Sequence, residues 1–191
     1  MQNIEQKPEI MQNIEEQLAA LQSRIDVLDK KMPDDKLSMI VFSGDLDKAL
    51  ASFIIATGAV AMGMEAVMFF TFWGTPLLRA KSKKVGGKDT MGKMFGTMLP
   101  KGTSDLKLSK MNMAGMGTAM MKSLMKKKNV ASLEQMLEMA EELGVKIYVC
   151  EMSMDLMGFK REEMIDYKDL TFCGVAKFLE EANSSRIQLF I

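Results

Sequence analysis

Residues 147–159 read IYVCEMSMDLMGF. A β-rich run closes on the thiol of Cys150, and a Met-rich, helix-like run starts at once. A thiol at such a seam sits where backbone N–H groups and a helix dipole favour a thiolate. Lysines elsewhere in the chain would add to that field, and Glu151 would oppose it. The competing reading is an inert core thiol, since free cysteine is among the most buried residues. The rest of the composition narrows the chemistry. The chain has 2 Cys and 0 His. This excludes Ser-His-Asp and Cys-His catalysis and His-ligated zinc. No metal and no cofactor are expected, and what remains is the chemistry of an unaided thiol. Cys173, flanked by Phe172, Gly174 and Val175, reads as packing within an amphipathic helix. A resolving partnership with Cys150 depends on a separation that spacing does not supply.

The elements that position Cys150 follow from hydrophobic periodicity. Residues 37–43 (LSMIVFS) read as a buried strand and residues 46–62 as a long apolar helix. Residues 65–72 (EAVMFFTF) read as a second strand. This is a βαβ unit whose crossover length suits a parallel sheet. From Ala49 to Trp73 the only charge is Glu65. That run imitates a membrane span. Gly63 interrupts it, however, and its second half turns aromatic and strand-like, so no membrane span is expected. Ser132 is set to cap a helix through about Leu143, with Glu134 and Gln135 in its first turn, and Gly144 is set to end it. Residues 145–150 form a strand, 152–157 a short helix, Asp169–Ala182 a helix with Phe172, Val175, Ala176 and Leu179 inward, and 186–191 a last strand. The fold class is therefore α/β, doubly wound around a mainly parallel sheet. In such sheets ligands bind beyond the carboxyl ends of the strands. Three strand ends meet that description: Ser43-Gly44-Asp45 for an anion, Phe72-Trp73-Gly74 as an aromatic wall, and Cys150.

Two segments stand apart from this core. In residues 1–36, Met11, Ile14, Leu18, Leu21, Ile25, Leu28 and Met32 alternate spacings of three and four, an a/d seam of about three heptads. Pro33 then stops the helix. The seam fits either an oligomerisation helix in a coiled coil or a helix packed on its own domain. Residues 1–5 (MQNIE) recur as 11–15, one short match that defines no repeat. Residues 37–191 make the α/β domain, and 79–128 form an insertion within it. The net charge of the chain is +0, yet the insertion is strongly basic. It carries Arg79, Lys81, Lys83, Lys84, Lys88, Lys93, Lys101, Lys107, Lys110, Lys122, Lys126, Lys127 and Lys128 against Asp89 and Asp105 alone. Met113, Met116, Met120 and Leu124 share one helical face there. The insertion reads either as a solvated, dipole-capped helix or as a mobile lid over an anionic partner. Of the 22 methionines, most read as core gap-filling. Neutral charge argues against nucleic acid. Two cysteines and no recognisable secretory signal point to a reducing, cytoplasmic setting.

Three stretches in order, VFSGDLDKALASFIIATGAVAMGMEAVMFFTFWG, LSKMNMAGMGTAMMK and CEMSMDLMGF, resemble the DsrE/DsrF-like family. The likeness is to its branch with a Met- and Gly-rich insertion. It covers about residues 37–191 and leaves the heptad segment outside. The resemblance implies a DsrE-like fold, a homo-oligomer, and a sulfur-relay role in which a cysteine carries sulfane sulfur as a persulfide. The family's cysteine at the start of C-x-M-S-M-D-x-M-G matches Cys150, with Met152, Ser153, Met154, Asp155, Met157 and Gly158 in pattern. Substrate contacts are expected from Ser43, Gly44, Asp45, Phe72, Trp73, Asn112, Gly115, Gly117, Met152, Ser153 and Asp155. Cys173 matches no family cysteine. A TusA-like carrier or a rhodanese would have to act in trans.

The leading expectation is therefore a sulfur carrier or sulfurtransferase with Cys150 as its thiol, and Ser153 or Asp155 capping the helix behind it. The alternative is a non-catalytic module that binds an anionic small molecule or nucleotide under the basic lid, with Cys150 as wall. A third reading places the basic Met-rich helix on a membrane surface.

Overall fold

The computed structural model describes residues 6–29, 32–83 and 85–191. The first MQNIE segment and Lys84 lie outside them. The chain divides at Asp34 into two units. The first holds helix α1 (Gln6–Asp29). Its seam residues Met11, Ile14, Leu18, Leu21, Ile25 and Leu28 are each about half exposed.

The second unit, Asp35–Ile191, is built on one sheet. Strands β1 (Asp34–Val41), β2 (Glu65–Phe70), β3 (Lys146–Cys150), β4 (Leu170–Cys173) and β5 (Ser185–Phe190) lie in the order β4-β3-β2-β1-β5. β1, β2, β3 and β4 pair in parallel. β5 runs alongside β1 in the same direction: the Ser38 and Ser185 hydroxyls share a 2.6 Å hydrogen bond, and Ile191 donates to the Ile40 carbonyl and accepts from the Phe42 N–H. Both faces of such a sheet are covered, which is why its strands are apolar almost without alternation. Leu37, Met39, Val41, Met68, Phe70, Ile147 and Val149 face the larger core. Helices α2 (Leu46–Ala61) and α5 (Leu133–Glu142) bring Phe53, Ala56, Leu133, Met136 and Ala140 to it. Val67, Phe69, Tyr148, Cys150 and Cys173 face a smaller cluster. Helix α7 (Val175–Ser184) brings Phe178 and Ala182 there, and Phe178 stacks on Phe69 at 5.1 Å between ring centroids.

Helices α3 (Thr90–Met98), α4 (Met116–Lys127) and α6 (Glu151–Met157) complete the unit. α5 starts as its sequence requires: Ser132 and Gln135 form a reciprocal capping box. Gly144 follows at φ 76°, a left-handed stop. Among the described residues no helix is long and apolar enough to cross a membrane, because the Ala49–Trp73 run is divided between α2 and β2.

One expected element is different. The helix expected over Asp169–Ala182 is a strand, Leu170–Cys173, followed by α7 from Val175. Val175 and Leu179 are more than half exposed, and Phe178 and Ala182 are the buried pair. The residues at 172, 175, 176 and 179 do share a helical period. However, Leu-Thr-Phe-Cys is a good strand sequence beside the open edge of β3, and ladder pairing of that edge outweighs local periodicity. Within the insertion, α4 carries Lys126 and Lys127 in its last turn, where they complement the helix dipole. Met113, Met116, Met120 and Leu124 are largely exposed, but Arg79 at the start of the insertion is only 2% exposed.

Candidate functional site

β3 is a run of β-formers that ends on Cys150, and α6 begins at the next residue. Cys150 is the N-cap residue (φ −68°, ψ 110°), and no side chain caps this helix. Neither Ser153 nor Asp155 acts as the cap that the sequence suggested. α6 ends at Gly158, φ 64°, whose Cα lies against Gly92 of α3. A Cβ on Gly158 would stand 2.5 Å from the Gly92 Cα, and one on Gly92 would meet the Asp89 carboxylate at 2.7 Å and crowd Gly158 at 3.2 Å, so this close approach of α3 and α6 relies on glycine.

Cys150 is 3% exposed and Cys173 9%. They are partners in the β3–β4 register, so both thiols point into the α7-side cluster. Both are free. Burial raises the Cys173 thiol pKa above its ordinary value. The nearby Cys150 and Glu151 add to that, and Lys177 works against it. Behind the thiols, the Tyr148 hydroxyl donates to Glu181 at 2.7 Å, and Lys36 donates to the same carboxylate at 3.1 Å. Burial and then Glu181 hold the Tyr148 hydroxyl protonated well above its usual range.

Ser153 is fully buried, and its hydroxyl ties α6 to the end of β2. It shares a 2.8 Å hydrogen bond with the Thr71 hydroxyl and accepts 3.0 Å from the Phe72 N–H. Phe72 sits at φ 44°, an uncommon backbone state for a bulky residue. The Ser153 bond holds that turn in place. Ser153→Ala would leave the buried Thr71 hydroxyl and the partly buried Phe72 N–H without this partner, at a cost of about 1–3 kcal/mol. Chemical denaturation of the variant would measure it; a loss below about 0.5 kcal/mol would contradict this role.

The other expected site residues divide into groups. Gly44 and Gly74 bring the β1 and β2 ends into backbone contact: a Cβ on Gly44 would overlap the Trp73 carbonyl, and one on Gly74 the Val41 carbonyl. Trp73 is half exposed. Ser43 accepts a hydrogen bond from Lys48, which also pairs with Asp45. Gly44 and Asp45 border a cavity of about 500 Å³ whose charged lining is Asp45, Asp105 and Lys107. Two carboxylates and one ammonium do not concentrate positive charge there. Asn112, Gly115 and Gly117 form their own turn. The Asn112 carbonyl accepts from both glycine N–H groups, and its side chain accepts from Thr118. That turn is anchored to the start of α2 by Ser109, whose N–H and hydroxyl both donate to Asp47. Met152 and Asp155 point outward and are exposed. Ser153, Thr71 and Phe72 thus adjoin the Cys150 segment, whereas the Gly44–Asp45 cavity and the Asn112 turn are built from other elements.

Two features lie outside the sequence reading. One is the Cys150–Cys173 register, for which the β-propensity of LTFC was the available signal. The other is a buried ionic cluster. Glu163 pairs with Arg79 at 3.2 Å and with Lys88, both cations lie over the Phe159 ring, and Arg79 also donates to the carbonyls of Pro100 and Gly96. Nothing in the spacing of 79, 88 and 163 announces it.

A model of the DsrE/DsrF/DrsH-like family matches residues 33–190. The chain is 46% identical over 156 residues to the uncharacterized protein YrkE of Bacillus subtilis, covering 82% of this chain and 96% of that protein. It is 39% identical over 161 residues to the sulfur carrier protein DsrE2 of Allochromatium vinosum, covering 84% of this chain and all of that protein.

Proposed function

This chain belongs to the DsrE/DsrF/DrsH-like family, and on that footing we propose that it is a sulfur carrier whose Cys150 holds sulfane sulfur as a persulfide. The observation that carries the reading is a thiol at the carboxyl end of β3, an interior parallel strand between β2 and β4, in a chain that matches the whole length of a protein named as a sulfur carrier. The Cys150 thiolate attacks the outer sulfur of a donor persulfide and releases the donor thiolate. Cys150–S–SH then gives its outer sulfur to an acceptor thiol in trans, and the Cys150 thiolate is regenerated. Each step breaks one S–S bond and forms another, so electrons balance without cofactor or metal. The acceptor class is a small thiol carrier of the TusA type or a rhodanese, in a reducing cytoplasm that keeps both cysteines free.

At 3% exposure Cys150 does not meet a donor in the closed state. Loading therefore requires local opening. β4 is the edge strand, and Gly174 beside it borders open space. Parting of this edge exposes the thiol, and its closing again protects the persulfide.

The test is to incubate the full chain with a polysulfide donor, remove the excess, and weigh the intact protein under non-reducing conditions. Added sulfur that a reductant removes is expected. An unchanged mass overturns the proposal.

The half-exposed a/d seam of α1 is assigned to pairing between copies of the chain. Deleting residues 1–32 is expected to lower the assembly size seen by light scattering. An unchanged size would place the oligomer contact elsewhere.

A further inference from the structure

We propose that Cys173 is the resolving thiol of this site, discharging the Cys150 persulfide as sulfide with formation of a Cys150–Cys173 disulfide. The inference rests on the persulfide reading and extends it to a second residue. The two cysteines are Cα partners at the last rung of β3–β4. Neighbouring strands stand about 4.7–4.9 Å apart, inside the roughly 4.4–6.8 Å range of Cα separations that a disulfide spans. Registered residues of parallel strands point to the same face, and both thiols lie in one apolar cluster with Tyr148, Phe69 and Phe178. They are the chain's 2 cysteines and both are free. The charge on one is felt by the other: Cys150 helps to raise the Cys173 thiol pKa, after burial. A thiol raised in this way stays protonated and idle until the Cys150 sulfur next to it becomes electrophilic. Persulfide formation makes it so.

The step balances. The Cys173 sulfur attacks the inner sulfur of Cys150–S–SH. The Cys150–S–SH bond breaks, and its outer sulfur leaves with the electron pair as HS⁻. The proton lost by Cys173 goes to that sulfide. One sulfane sulfur has been reduced to hydrogen sulfide and two thiols oxidised to a disulfide. A dithiol reductant resets the pair. The site therefore has two outlets: transfer to an acceptor in trans while the persulfide lasts, and sulfide release when no acceptor arrives.

Three measurements test this on the full chain. First, a mild thiol oxidant without any sulfur donor is expected to link Cys150 to Cys173 within one chain, as read by non-reducing peptide mapping. Second, wild type loaded with polysulfide and left without acceptor is expected to release sulfide and accumulate the same disulfide. Third, Cys173→Ser and Cys173→Ala are expected to load as wild type does and to retain the sulfur, with discharge slowed by roughly tenfold or more. Loading of Cys150 with equal discharge in wild type and both variants overturns the resolving role and leaves the carrier reading standing. Absence of the donor-free disulfide also overturns the resolving role. Absence of any loading on Cys150 overturns both.

Discussion

Cys150→Ser is expected to abolish sulfur uptake while leaving the fold in place. Serine keeps nearly the same shape, but its oxygen neither ionises near neutral pH nor forms a stable bond to sulfane sulfur. The position is 3% exposed among apolar neighbours. An unpartnered hydroxyl there costs about 1–3 kcal/mol, a modest share of the roughly 5–15 kcal/mol of a typical domain. Cys150→Ala separates the two effects, since it removes the thiol without burying a hydroxyl. Intact-mass loading reports the chemistry, and circular dichroism with urea unfolding reports the fold. Loading of Cys150→Ser to wild-type extent would remove Cys150 from the carrier role. The remaining thiol, Cys173, would then be the only cysteine able to hold the sulfur. Because the thiol pair is covered by α7, uptake by wild type is also expected to rise in urea concentrations below the unfolding transition, where edge opening is more frequent.

The largest stability effect is expected at Glu163. Its side chain is 3% exposed and faces two buried cations, Arg79 and Lys88, at 1% and 9%. Glu163→Ala removes the carboxylate and leaves both cations without that counter-charge. Breaking a buried pair in this way costs about 3–5 kcal/mol. Burial alone would push the Glu163 carboxyl pKa up. The Lys88 hydrogen bond, the Lys160 N–H and the charges of Lys88 and Arg79 outweigh burial and hold it below its ordinary 4.5. The sign follows from that direction. With the folded value depressed, the stabilisation is complete above the unfolded value near 4.5 and is lost as pH falls through the lower folded value. Urea titrations at neutral pH should show the full deficit of the variant, and the gap to wild type should narrow on acidification below about pH 4.5. A deficit under about 1 kcal/mol at neutral pH would show that the cluster is not held by Glu163. The consequence reaches the site. Arg79 and Lys88, both paired with Glu163, lie over the ring of Phe159, which follows the Gly158 cap of α6, so loosening the cluster loosens the helix that starts after Cys150.

Much of this architecture is readable before any coordinates. LSMIVFS and EAVMFFTF are apolar because both faces of their strands are covered, and that pattern survives in one dimension. The capping box at Ser132 and the stop at Gly144 are local chemistry, carried by adjacent residues. Cys150 at a strand–helix seam is equally local, since the change of period falls on that residue.

The misread segment shows where such reading ends. LTFCGVAKFLEEA has a helical period, yet its first four residues pair with β3. An edge strand is chosen by the neighbour it meets, and that neighbour lies some twenty residues earlier in the chain. The same choice of partner decides that Cys173 stands beside Cys150 and not within a helix. Likewise Arg79, Lys88 and Glu163 look like three surface charges in sequence and become one buried cluster only when the insertion folds back on the loop after α6. Local propensity and periodicity determined the elements up to β3 and singled out one thiol, but not the strand at Leu170–Cys173. The pairing of thiols, the ionic cluster and the Ser153 tie were decided by contacts between residues far apart in the chain, because burial and register energies depend on partners that no short window of sequence contains.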